Sequence, residues 1–521
     1  MSISHSDCEI QGKAQDRGTS SNLNSILWRR ALTWGVGQSD GYAMIDMLPD
    51  ETMLEIFDAY RDLPRFSDYT WDWDKLVHVC RRWRQLVFAS PLRLQVSIHL
   101  DCTKRIDVKK ILGCWPAFPI TVDYTGFMGI YPSEEDNLLA ALEHSDRVHH
   151  LYLHIADKKP AKLAAAMQKP FPMLTKLQLS RESWTELALP QGFLGGSAPR
   201  LQQLELEDII FPELPNFLLS TRDLVTLDLS RIPPQAYISP ETMVTCLAPM
   251  SRLTCLVIGF RSTFPSDQLD MAPVTRARAV LPALVFIFLD CNIHYMEDLA
   301  ARIDCPQLNR LELYPSDSSV DVDLQVPQIF KLINRSKDPL LACFDWVNMD
   351  FSSDHITLRA SHKRPPHIAI YLSLMGENWQ LSHVFQAICQ FSTTSTLSNL
   401  RYLSIHSSGR IPDRTPTNLD WAPLLAAFSA LKAVYISGDH KYNASALESI
   451  DGDTAAGLLP ALDLLYVEGL PVLSVDKFCA ARQASGLPVT VVDTADEFFI
   501  RQEPYIDEQE KKDGFHLGPK V

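Results

Sequence analysis

LTKLQL at residues 174–179, with LQQLEL at 201–206 and LVTLDL at 224–229, decides how the long middle of this chain is read. Leu177 and Leu179 are two residues apart, as are Leu204 and Leu206, so each pair shares one face of an extended strand. The polar residues between them face the other way. Period two fits these stretches better than the helical period, which disfavours the competing reading of an all-helical stack. The pattern L-x-x-L-x-L, with Ile or Val allowed, recurs ten times. It begins at Val148, Leu174, Leu201, Leu224, Leu253, Leu284, Leu308, Leu400, Leu431 and Leu462. The spacings run 26, 27, 23, 29, 31 and 24 residues, then 92, then 31 and 31.

A period of roughly 20–30 residues with this motif is the leucine-rich-repeat signature. One unit cannot bury its own leucines, whereas a stack makes a continuous core. The step of 92 residues has room for three degraded repeats, with strand-like stretches at Leu341–Asp350 and His367–Leu374. Helices are expected in connectors such as Ser239–Leu247 and Tyr295–Ile303. The polar ladder residue after each strand is mostly missing. Asn292 fits, while Glu182, Ile209 and Ile232 stand in equivalent places. The expected fold class is therefore an α/β (α+β) repeat: a small N-terminal helical domain, then an irregular leucine-rich-repeat solenoid, or horseshoe.

Composition narrows the function classes. The chain has 521 residues, 46% hydrophobic and 21% charged, which describes a folded protein. Its net charge of −15 repels phosphate backbones, so no nucleic-acid partner is expected. No apolar run reaches the roughly 18–20 residues that span a bilayer, and Met1 to Ser21 lacks the apolar core of a signal peptide. A cytoplasmic or nuclear protein with no membrane partner is expected. The 11 cysteines run from Cys8 to Cys479 without a C-x-x-C pair, and are read as buried free thiols.

Residues 1–42 read as a disordered arm rich in Ser, Gly, Asn and Gln, 43–98 as helical, 99–500 as the repeat region and 501–521 as a flexible charged tail. Met47–Leu48–Pro49–Asp50–Glu51 opens a helix: Pro suits the first turn, and the two acids favour the positive end of the helix dipole. Met53, Phe57 and Tyr60 share one face of it, and a second stripe holds Leu76, Val79, Cys80, Trp83, Leu86 and Val87. Some fifty residues with two apolar stripes need a neighbour or a partner to cover them.

LPDETMLEIFDAY, followed by LVHVCRRWRQLVFASPLRL, resembles an F-box. Further stretches resemble the fungal F-box family with leucine-rich repeats: DNLLAALEHSDRVHHLYL, FLGGSAPRLQQLEL, YISPETMVTCL, ARIDCPQLNRLEL and KFCAARQ. The resemblance covers residues 43–500. It implies the substrate-receptor subunit of an SCF-type ubiquitin ligase, joined through a Skp-type adaptor to a cullin. It implies adaptor contacts from Leu48, Pro49, Leu54, Ile56 and Phe57, with Val79, Cys80 and Trp83 packing the hairpin or joining the contact. Asp62–Asp74 is longer than the turn that the family uses there. In the alternative reading, Leu48–Leu94 only caps the repeat array of a protein-interaction scaffold.

The residues alternating with the leucines form the expected target surface on a concave face: Tyr152, Gln178, Glu205, Asp228, Phe288, Arg310, Glu312, Tyr314, Tyr402, Tyr435 and Tyr466, flanked by Glu207, Asp290 and Glu468. Their aromatic and acidic mix suits a basic segment of a target protein whose identity the residues do not give. An ordinary solvated sheet face is the competing reading. No catalytic residue, cofactor or metal is expected, because G-x-S-x-G, H-E-x-x-H and glycine phosphate loops are all missing. His150 and His154 share a strand face but stand about 13 Å apart, too far to bind one ion.

Overall fold

The structure is a computed structural model and describes residues 45, 47–61, 72–90, 98–102, 107–115, 117–124, 132–155, 160–181, 188–261, 278–315, 327–335, 345–352, 355–361, 368–375, 400–408, 425, 428–438, 459–468 and 472–493. The expected arm (1–42), most of the Asp62–Asp74 stretch and the expected tail (501–521) lie outside them. The chain divides into two compact units, Met1–Gln95 and Val96–Val521.

Among its described residues the first unit holds three helices, α1 (Asp50–Arg61), α2 (Asp72–Val77) and α3 (Arg81–Ala89). Asp50 and Glu51 occupy the first turn of α1, where the helix dipole favours negative charge. Its described core consists of Met53, Phe57, Val77, Leu86 and Val87.

The second unit is built on strands β1 (Ile98–Asp101), β2 (Ile120–Tyr124), β3 (Val148–Ile155), β4 (Lys176–Arg181), β5 (Gln203–Glu207), β6 (Thr226–Ile232), β7 (Cys255–Phe260), β8 (Ala279–Val280), β9 (Phe286–Cys291), β10 (Ile303–Asp304), β11 (Arg310–Pro315), β12 (Trp346–Ser352), β13 (His355–Ser361), β14 (Ile368–Met375), β15 (Tyr402–Ser408), β16 (Ala433–Gly438), β17 (Leu464–Glu468) and β18 (Thr490–Asp493). Sixteen of them form one sheet, in the order β1-β2-β3-β4-β5-β6-β7-β9-β11-β14-β13-β12-β15-β16-β17-β18, while β8 and β10 pair separately. Helices α4 (Val108–Cys114), α5 (Pro132–Leu142), α6 (Pro160–Ala166), α7 (Leu214–Ser220), α8 (Pro240–Leu247), α9 (Ile293–Arg302), α10 (Pro327–Arg335) and α11 (Val472–Ala484) lie in the connectors.

The motif leucines show why strands form where they do. Leu151, Leu177, Leu204, Leu227, Leu256, Ile287 and Leu311 are successive register partners, each at most 1% exposed. The first motif position closes a turn ahead of its strand: Leu174 N–H donates to Phe171 O, Leu201 to Ala198 O, Leu253 to Met250 O and Leu308 to Cys305 O. That turn drives each first leucine into the core at 0% exposure. Ser239 caps α8, with Pro240 in its first turn.

The expected fold class is nevertheless corrected. The described residues show neither a helical F-box domain nor the expected irregular leucine-rich-repeat solenoid, or horseshoe. The sheet has a nine-stranded parallel half, β1 to β11, and a seven-stranded mixed half beginning at β14. The motif reports a strand with one buried face, but it does not specify the connection that follows. Only two residues separate β12 from β13, and a parallel crossover needs a dozen or more. The pair is therefore antiparallel, as are β13 and β14, and β14 rather than β12 lies against β11. The segment expected to hold three degraded repeats holds this antiparallel meander instead. At the N-terminus the described residues bury five side chains on three short helices, and these do not make an F-box fold evident. Asn292, expected on a polar ladder, caps α9 instead, its Oδ1 accepting from Tyr295 N–H at 2.7 Å.

Candidate functional site

The residues singled out above fall on the helices of the first unit and on the sheet of the second. In the first, Phe57 is 1% exposed and its ring packs 4.9 Å from that of Trp83, so these two join α1 to α3. Cys80 caps α3, its Sγ accepting from Trp83 N–H at 3.5 Å. Leu48, Leu54 and Ile56 are half-buried and Pro49 is exposed. Val79 is 58% exposed, and Ile45 and Met47, which periodicity did not single out, are exposed by 48% and 79%.

Arg82 fixes the Leu48–Pro49 entry to α3. Its guanidinium donates to Leu48 O and, at 2.6 Å, to Asp50 Oδ1. Sequence reasoning missed this clamp because 32 residues separate Arg82 from Asp50, beyond any helical periodicity.

In the second unit the register aligns most of the expected target-binding residues. Tyr152, Gln178, Glu205, Asp228, Val257, Phe288 and Glu312 are partners in turn across seven strands. Arg310 and Tyr314 flank Glu312 on β11. Arg310 and Glu312 satisfy each other at 2.6 Å, and Glu312 is buried. The Arg310 guanidinium also lies 5.4 Å from the Phe286 ring, and Phe288 and Tyr314 pack at 4.9 Å. Tyr402, Tyr435 and Tyr466 are elsewhere, on β15 to β17, with Tyr435 donating to Glu468 Oε2 at 2.6 Å. Five strand steps separate β15 from β9, or about 24 Å at 4.8 Å per step. The row of expected residues thus divides into an acidic–aromatic surface and a separate tyrosine surface.

Burial sets the protonation of the acidic surface. It pushes Asp228 up to about 7, reinforced by Glu205 and Glu207 and opposed by the hydrogen bond from Ser230. It raises Glu205 as well, against the pull of Lys176, and takes Asp290 up to about 6. Tyr152 rises to about 12 through burial, with Glu205 and Asp123 adding to it. On β3, burial beside His149 and Lys176 takes His150 down to about 3, so it is neutral at pH 7. His154 bonds Ser180 Oγ at 2.9 Å. Among the described residues no three His, Cys, Asp or Glu side chains gather closely enough to hold a metal. The described cysteines are free, and burial raises Cys102, Cys255 and Cys305 to about 12, which makes them poor nucleophiles. No helix among the described residues is long and apolar enough to cross a membrane.

No protein-family model matches the chain, and none of the curated proteins matches it.

Proposed function

We propose that the chain is a non-catalytic receptor of an SCF-type ubiquitin ligase. The N-terminal helices dock a Skp-type adaptor, and through it a cullin, while the polar sheet face holds a protein target in the cytoplasm or nucleus. The observation that carries this reading is the exposure of Ile45, Met47, Pro49 and Val79 around an entry that Arg82 holds in place. Exposed apolar side chains of this kind suit a partner surface, and here they fall in the stretch that resembles an F-box in sequence. The contribution to ubiquitin transfer is positional, since holding a target beside the transferring enzyme raises its effective concentration.

Co-purification of the full chain with a Skp-type adaptor tests the proposal. A Leu48→Ala/Pro49→Ala variant loses the adaptor while the second unit keeps its hydrogen-exchange protection. If the intact chain captures no adaptor, the receptor reading fails, and the protein is a scaffold whose N-terminal helices serve only its own fold.

A further inference from the structure

The polar face of the parallel half has a chemistry that narrows its partner. From β1 to β11 the residues alternating with the leucines include seven carboxylates, Asp101, Asp123, Glu205, Glu207, Asp228, Asp290 and Glu312, against two permanent cations, Lys176 and Arg310. Arg310 is held by Glu312. At β5 and β6, Glu205 faces Asp228 in register, while Glu207 faces Ser230 and has the guanidinium of Arg231 3.9 Å away, so the negative charge of this patch centres on Glu205 and Asp228. Two strand steps away on β9 the character changes: Phe286 and Phe288 are half-buried, and Tyr314 on β11 packs on Phe288.

We infer that this face takes an extended protein segment lying across the strands, with a Lys or Arg side chain over Glu205 and Asp228 and an aromatic or large aliphatic side chain over Phe288 and Tyr314. This rests on the receptor reading and names the chemistry of its target. Charge complementarity selects the cation and rejects acidic segments. The spacing follows from the sheet. Two to three strand steps of about 4.8 Å make roughly 10–14 Å, and an extended chain advances about 3.3–3.6 Å per residue, so the two anchors stand three or four positions apart. The face suits the cation because its carboxylates are partly desolvated: burial raises both Glu205 and Asp228, and an incoming ammonium or guanidinium restores the charged form of each.

The test uses a displayed library of random dodecapeptides selected on the immobilised full chain, with winners remade and measured by titration. Winners are expected to carry Lys or Arg three or four positions from an aromatic or Leu. Glu205→Gln/Asp228→Asn is expected to weaken them at least tenfold, while the same peptides with Ala at the cation bind wild type and variant alike. Phe288→Ala weakens them through the other anchor. Winners that lack the cation but are weakened by Phe288→Ala sink the cation inference and leave the receptor reading standing. If no winner is weakened by either face variant, both the inference and the assignment of the target to this face fail, whatever the adaptor co-purification shows.

Discussion

Glu205 and Asp228 are register partners on adjacent parallel strands, β5 and β6, both half-buried on the same face of the sheet. Two carboxylates so placed hold protons more tightly than in water, because burial penalises each charge and Glu205 further raises Asp228. This pairing links the stability of the sheet to pH.

The sign follows from proton counts. Asp228 titrates near 7 when folded and near 3.8 when unfolded, so between those values the folded chain holds the extra proton. Stability then falls as pH rises through this window and levels off above it. Asp228→Asn removes the penalty without removing the side chain. Its gain in unfolding free energy over wild type, measured by denaturant titration, grows from pH 4 to pH 8 toward an upper limit of about 4 kcal/mol at 1.36 kcal/mol per pH unit. A gain that is constant across that range contradicts the assignment.

Phe57→Ala empties the contact with Trp83 at the centre of the first unit. Phe-to-Ala changes in cores cost about 3–5 kcal/mol. Hydrogen exchange in residues 50–89 accelerates strongly, while 201–260 keeps its protection, because the chain divides into two units.

Arg82→Ala releases Leu48 O and Asp50 from α3. Asp50 is largely exposed, so the loss of stability is small, about 1 kcal/mol or less. Adaptor capture falls far more than stability does, because the variant frees the Leu48–Pro49 entry from its fixed position. A pull-down titration beside a melting curve separates the two effects.

Arg482 on α11 is 1% exposed and donates to Leu487 O, Leu459 O and Leu462 O, each at 3.2 Å. Arg482→Ala leaves three carbonyls without this donor, a loss on the order of 3 kcal/mol or more. Exchange in 459–493 accelerates while 201–260 is unchanged. Arg482→Lys restores only part, since an ammonium lacks the guanidinium's planar fork.

Much of the second unit was legible in the leucines. Leu174, Leu201 and Leu253 fall at 0% exposure, and the residues alternating with Leu177 and Leu204 line the opposite face, because the two-residue period of a strand leaves no other arrangement. The region after β11 was not legible. Its strands look like the others, and only the two-residue link between β12 and β13 turns them antiparallel. In the first unit Met53 and Phe57 could be read as a buried stripe. The exposure of Met47, by contrast, depends on which neighbours fail to cover it.

By itself the sequence determined where ten strands lie, which side chains they bury and which residues they present on the opposite face, since these are local consequences of alternation. It also determined that this opposite face is acidic and aromatic. Tertiary structure alone decided the strand order, with β14 beside β11, because pairing across the sheet depends on connection lengths and on competition among similar strands. It likewise decided that Glu205 meets Asp228 and that Tyr402 stands far from Phe288. Those are distances between residues remote in the chain, and no period encodes them.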